Sequence, residues 1–186
     1  MSRIRFITGG ARSGKSRFAE EFLKNEDKVI YIATGIAFDD EMKDRIAKHK
    51  ESRNKNWITI EGYKGLKDIL SDKLAGRDFI LLDCVTIMVS NLMLLGKNID
   101  WDKINPDEVN LIEKTILDEI NNFLKIAEQF SGETIIVSNE LGMGVVPPTP
   151  LGRYYRDIAG RMNQIIADIS DEVYFVVSGI PVKIKG

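Results

Sequence analysis

Gly9-Gly10-Ala11-Arg12-Ser13-Gly14-Lys15-Ser16 fulfils the pattern G-x-x-x-x-G-K-[ST] at every fixed position. Its flanks decide how it is read. Arg3-Ile4-Arg5-Phe6-Ile7-Thr8 reads as a strand, and residues 15–24 read as a helix. A strand, a glycine loop and a helix are the setting in which this pattern cradles phosphate. Glycines let successive backbone N–H groups turn inward as an anion-binding nest. The helix opening near Lys15 adds its positive dipole end. Lys15 supplies a mobile charge for the β- and γ-phosphates, and the Ser16 hydroxyl suits Mg²⁺. The competing reading is an ordinary glycine turn. The motif points to a nucleoside triphosphate and leaves the reaction open.

Working outward, apolar runs and amphipathic stretches alternate along the whole chain. Residues 28–33, 57–61, 78–83, 134–137, 173–177 and 182–184 read as strands, the last two around a Ser-Gly-Ile-Pro turn. Residues 39–53, 66–74, 86–95, 106–130 and 151–169 read as helices. The longest is the clearest. Pro106 suits a first turn, and Val109, Ile112, Ile116, Ile120 and Phe123 share one face. Residues 142–150 form a loop with two glycines and three prolines. It reads as a shaper of a substrate site, a subunit contact or a plain connection. The order of elements implies an α/β fold, mostly a parallel sheet with helices on both faces and an antiparallel C-terminal edge. It is expected to be one domain over residues 1–186 in the P-loop NTPase class, of RecA-like type.

Composition narrows the rest. A chain of 186 residues is long enough for one packed domain and short for two. A net charge of -2 carries no nucleic-acid footprint. The lone Cys84 forms no internal disulfide, and with the single His49 it makes no zinc cluster. That usage fits a reducing cytoplasm. The strand pattern starts at once, leaving no room for a signal peptide, and no apolar run approaches the ~20 residues of a membrane span.

Two further positions invite chemistry. Leu81-Leu82-Asp83 puts an acid at the end of a buried strand, where a Mg²⁺-associated carboxylate sits in this class, or where an acid merely caps a strand. His49 shares a helical face with Met42 and Ile46, with Arg45 and Arg53 each one turn away. Guanidiniums can clamp phosphates while an imidazole attacks or shuttles a proton, although a packed, hydrogen-bonded histidine would look the same.

Several separated blocks resemble one family: residues 9–16; Asp39-Asp40-Glu41-Met42 with Arg45-Ile46 and His49; Ser138-Asn139-Glu140-Leu141-Gly142-Met143-Gly144-Val145-Val146-Pro147; Arg156-Asp157-Ile158-Ala159-Gly160-Arg161; and Val176-Val177-Ser178-Gly179-Ile180. They are similar to the bifunctional adenosylcobinamide kinase/adenosylcobinamide-phosphate guanylyltransferases of cobalamin biosynthesis, essentially from end to end. The resemblance implies two reactions. A nucleoside triphosphate, ATP or GTP, phosphorylates an alcohol on a corrinoid with an amide-rich rim. GTP then yields GMP to that phosphate through a guanylylated histidine, which by motif position is His49. Nucleotide contacts implied for this chain are Gly9, Gly10, Ala11, Arg12, Ser13, Gly14, Lys15, Ser16, Thr34, Gly35, Ile36, Lys50, Glu51, Ser52, Arg53, Glu61 and Asp83, with Mg²⁺ at Ser16 and Asp83. At Asp83 some members carry Glu. Glu61 suits guanine or ribose donors, and Arg53 suits phosphate, while Glu61 as a solvated strand end and Thr34-Gly35 as a simple turn are the plainer readings. A homotrimer is also implied. The rivals are a simple small-molecule P-loop kinase with a structural His49, and a nucleotide-dependent switch protein.

Overall fold

The chain is described by a computed structural model over residues 2–36 and 54–186. The helix expected at residues 39–53, with His49, Lys50, Glu51, Ser52 and Arg53, lies outside the described residues. The described elements are β1 (Arg3–Thr8), α1 (Lys15–Phe22), β2 (Val29–Ala33), β3 (Ile58–Glu61), α2 (Leu66–Ser71), β4 (Phe79–Asp83), α3 (Val85–Leu94), α4 (Pro106–Gln129), β5 (Glu133–Val137), α5 (Pro150–Ile169), β6 (Glu172–Val177) and β7 (Ile180–Lys185).

The strands form one sheet in the order β3-β2-β4-β5-β1-β6-β7. Every pairing from β3 to β6 is parallel, and β7 returns antiparallel on β6. Period-two alternation divides each strand's side chains between two faces. Ile4, Phe6, Ile30, Ile32, Ile80, Leu82 and Ile136 pack beneath α2 to α5. Ile7, Val29, Tyr31, Leu81, Ile135 and Val137 pack on the α1 side with Ala19 and Leu23. Two covered faces explain why the strands read as continuous apolar runs.

The helix expected from its periodicity is α4. Asn105 caps it by accepting from the Glu108 N–H at 2.9 Å, Pro106 occupies the first turn, and all five named face residues are buried. In α5 the Thr149 hydroxyl accepts from Gly152 N–H at 3.2 Å, so Pro150 opens the helix rather than closing the preceding loop. The expected four-residue turn before the last strand is shorter. Ser178 (φ 51°) and Gly179 (φ 83°) are both left-handed. Two left-handed central residues match the twist of a hairpin, so β7 resumes at Ile180. Pro181 is tolerated because β7 is the sheet edge.

At the amino end of the sheet, far from the loop, Arg3, Arg5 and Lys183 converge on Glu172, at 2.7, 2.6 and 2.6 Å. Arg5 also pairs with Glu133 and lies over the Phe22 ring. The Lys183 hydrogen bond, with Arg5 beside it, holds the Glu172 carboxyl down at about 2. A carboxyl depressed from 4.5 contributes stability above that value and loses it as pH falls towards about 2. Thermal melts of Glu172→Gln should therefore fall less steeply than wild type across that window. This cluster ties β1, β5 and β6 together and is structural, an instance where a shifted pKa does not mark a site.

Candidate active site

Strand β1 lies inside the sheet, between β5 and β6, while the chain leaving it crosses to β2 on the far side of β4. The carboxyl ends of strands at such a crossover form the crevice where α/β proteins bind ligands. The loop of residues 9–16 curls over that end. Its conformation depends on left-handed backbone at Gly9 (φ 151°), Arg12 (φ 57°) and Gly14 (φ 98°). Gly10, Ala11 and Arg12 are exposed, whereas Ser13 and Lys15 are buried. The Lys15 ammonium is folded into the curl, donating to the Gly10 carbonyl at 2.6 Å and reaching Ser13 Oγ at 3.5 Å. Ser16 sits half-buried in the first turn of α1.

Burial lowers the Lys15 pKa, opposed by Cys84 and Asp83. Desolvation keeps the Cys84 thiol protonated up to about 11. Asp83 is thus the counter-charge that acts at neutral pH. It ends β4, two strands from β1, and its Oδ2 accepts from the Tyr31 hydroxyl at 3.0 Å. That leaves the other carboxylate oxygen for a cation. No cluster of three or more His, Cys, Asp or Glu that could hold a metal occurs among the described residues. A Mg²⁺ ion binds through one or two protein oxygens and completes its shell with phosphates and water. The Ser16 hydroxyl and the Asp83 carboxylate fit that pattern.

Thr34 is fully buried and occupied within the fold. Its hydroxyl donates to the Cys84 carbonyl at 2.8 Å and accepts from the Cys84 N–H at 2.9 Å. Its own N–H donates to Asp83 O at 3.2 Å, and Asn91 Nδ2 donates to its carbonyl at 2.7 Å. The side chain therefore fixes the exit of β2 against the end of β4, from which the chain runs towards residues 37–53. Gly35 is half-buried and Ile36 is 36% exposed. Glu61 ends β3, at the sheet edge opposite β7, four strand spacings from β1. At ~4.8 Å per spacing it lies about 19 Å from the loop strand. A ligand reaching both would lie along the carboxyl edge across β5, β4 and β2.

Two features of the site were not assigned a role from sequence. Strand β5 separates the loop strand from the Asp83 strand, with Val137 in register with both Ile7 and Asp83. The chain leaving it, Ser138-Asn139-Glu140, therefore emerges between loop and acid. Glu140 N–H donates to Gly9 O at 2.9 Å, and Asn139 Nδ2 donates to Thr86 Oγ1 at 2.8 Å. Tyr155 and Asn163 of α5 brace the same knot, donating to Thr86 O at 3.1 Å and Asn139 O at 3.0 Å. The second feature is the β6–β7 turn, whose Gly179 N–H donates to Ser13 O at 2.8 Å. Strand order alone brings these groups together, and sequence spacing gives no signal of it.

A phosphate loop at the carboxyl end of an interior parallel strand, faced by a strand-end carboxylate, places this protein in the P-loop class of α/β proteins. Within that class, the chain belongs to the cobinamide kinase/cobinamide phosphate guanyltransferase family, whose family model matches residues 5–184. It is 45% identical over 183 residues to the bifunctional adenosylcobalamin biosynthesis protein CobU of Salmonella typhimurium, covering 96% of this chain and 98% of that protein. It is 42% identical over 181 residues to CobU of Escherichia coli, with 96% and 98% covered. It is also 38% identical over 181 residues to the bifunctional adenosylcobalamin biosynthesis protein CobP of Pseudomonas aeruginosa, with 97% and 96% covered. The chain is thus an enzyme, a kinase and nucleotidyltransferase of cobalamin biosynthesis; the plain-kinase and switch readings fall away. No described helix is long and apolar enough to cross a membrane.

Proposed function

We propose that this enzyme first transfers the γ-phosphoryl group of a nucleoside triphosphate to the alcohol of adenosylcobinamide. It then joins GMP from GTP to that phosphate through a guanylylated His49, releasing pyrophosphate. The family match over residues 5–184 carries this reading, and the geometry of the phosphate loop supports it.

In both steps the charge that develops on phosphate oxygens is met by the loop N–H groups, the α1 amino end and Lys15. Mg²⁺, when bound by Ser16 and Asp83, adds neutralising charge to the phosphates. In the guanylyl half, an imidazole nitrogen of His49 attacks the α-phosphorus as pyrophosphate leaves, and the corrinoid phosphate then displaces the histidine. Residues 9–16, Thr34-Gly35-Ile36, Lys50, Glu51, Ser52, Arg53, Glu61 and Asp83 are assigned to the nucleotide. With a single phosphate loop in the sequence, the two steps share or exchange one site. The enzyme is assigned to the cytoplasm as one domain and, from the family resemblance, to a homotrimer. Apolar side chains exposed at Met143 (80%), Val145 (94%) and Ile180 (67%) offer surface for the assembly.

The test is to incubate the protein with Mg²⁺ and GTP labelled at the α-phosphate, without acceptor, beside a His49→Ala variant. Acid-labile, base-stable label on the wild type alone, with pyrophosphate released, is the expected result. A wild type that binds GTP and stays unlabelled would remove His49 as nucleophile.

A further inference from the structure

A groove of about 470 Å³ runs between α5 and the face of β1, β6 and β7. Its volume is in the range of small-molecule sites. Thr8 and Glu140, the two residues that flank Gly9, line it at the phosphate-loop end. From there it follows Arg156, Gly160 and Gln164 of α5 down to Ile184 of β7.

The charges of this groove say what it is suited to hold. Arg156 is paired with Asp157 at 3.1 Å, and Arg161 is paired with Glu113, one of the two contacts at 2.8 Å. Both guanidiniums therefore already have a carboxylate partner, and no unpaired cation among the described residues marks the groove as a site for a second phosphate. What remains is neutral hydrogen-bonding capacity. Thr8 and Asn163 line the groove, their buried Oγ1 and Oδ1 have no partner among the described residues, and Gln164 adds an exposed amide. Carboxamides pair with such groups, offering both a donor and an acceptor. Glu140 is the groove's remaining charge. Its carboxylate accepts from Gly142 N–H and has no ion pair among the described residues, and its backbone is tied to the phosphate loop.

We propose that this groove is the acceptor subsite of the kinase step. It takes the hydroxyl-bearing arm and adjoining carboxamides of the corrinoid, with Glu140 at its head receiving the hydroxyl proton. This rests on the two-step reading above. The acceptor oxygen forms its bond to the γ-phosphorus as its proton passes to the Glu140 carboxylate. The bond from the γ-phosphorus to the β–γ bridging oxygen breaks, and the nucleoside diphosphate leaves. The carboxylic acid then returns its proton to solvent. Such general-base assistance is worth about 10²- to 10⁴-fold in rate. The guanylylation of His49 needs neither the acceptor nor Glu140.

Gly160 supplies a selective probe. A Cβ built there meets nothing within 4 Å, and its backbone is ordinary helix, so Gly160→Met fills the groove without disturbing the fold. The full-length protein is assayed for phosphorylation of adenosylcobinamide and, separately, for acceptor-free labelling of His49 from α-labelled GTP. Gly160→Met should raise KM for the corrinoid at least tenfold, with nucleotide KM and His49 labelling as in wild type. Glu140→Gln should lower kinase kcat at least 100-fold with corrinoid KM within about twofold, and leave labelling intact. An unchanged corrinoid KM in Gly160→Met, or loss of labelling along with it, would overturn the subsite. A wild-type kcat in Glu140→Gln would remove the proton acceptor. Failure of the wild type to label at all would instead count against the two-step reading.

Discussion

Lys15→Met should cost about 10²- to 10³-fold in kcat/KM for corrinoid phosphorylation and a similar factor in the rate of His49 labelling. The reason is economy of sites. The chain carries one phosphate loop, so on the function proposed above one ammonium would meet charge on the γ-phosphate in the first reaction and on the departing pyrophosphate in the second. Methionine keeps the length and flexibility of the lysine stem and removes the charge. It also removes a penalty. Burial lowers the Lys15 pKa, so the folded state binds that proton less firmly than the unfolded chain does. At neutral pH the buried ammonium therefore works against folding, and Lys15→Met should melt at the wild-type temperature or above. Loss of both activities at undiminished stability would be the signature. A variant that lost phosphorylation and kept full labelling would mean that the two half-reactions use different phosphate sites.

What could be read from the sequence is what depends on neighbours along the chain. The phosphate loop is local: its glycines, its lysine and the helix that follows are consecutive, so their physics is visible in eight residues. Helix α4 is local too, since its apolar face repeats with the helical period and its cap and first-turn proline adjoin it. The acid of Asp83 was legible because a buried strand announces itself by its apolar run. Thr34 falls just past the end of β2, as the strand pattern of residues 28–33 implies. The spacing marks a strand end, while the hydroxyl's two hydrogen bonds to Cys84, 50 residues away, are a product of the fold. Glu140 stands beside Gly9, some 130 residues earlier, only because β5 is inserted between β1 and β4. Strand order is decided by packing and crossover handedness, which single-chain spacing does not record. The same holds for the β6–β7 turn, whose residues resemble the family's without showing that they touch the phosphate loop.

That contact sets up the largest effect on stability. In Gly9→Ala the new Cβ would lie 2.3 Å from the carbonyl oxygen of Val176 and 3.0 Å from Ser13 Oγ, at a φ of 151°. A serine side chain can rotate away. The Val176 oxygen cannot, because it belongs to the backbone of β6, whose side chain at that position is fully buried and whose strand pairs on both sides. Backbone strain at a glycine-only conformation costs about 1–3 kcal/mol. Overpacking costs about as much again. For a chain of this size each kcal/mol lowers the melting temperature by roughly 2–4 °C, so a fall of about 5–20 °C is expected, with triphosphate binding weakened as the loop is pushed off β6. Gly10→Ala is the control within the same loop. A Cβ there meets nothing within 4 Å, and Gly10 has no positive φ, so it should melt within a degree or two of wild type. Equal melting temperatures for the two variants would mean that the loop does not rest on β6. A large gap confined to Gly9 would locate the rigidity of the phosphate cradle in the last strands of the sheet, rather than in the glycine content of the loop itself.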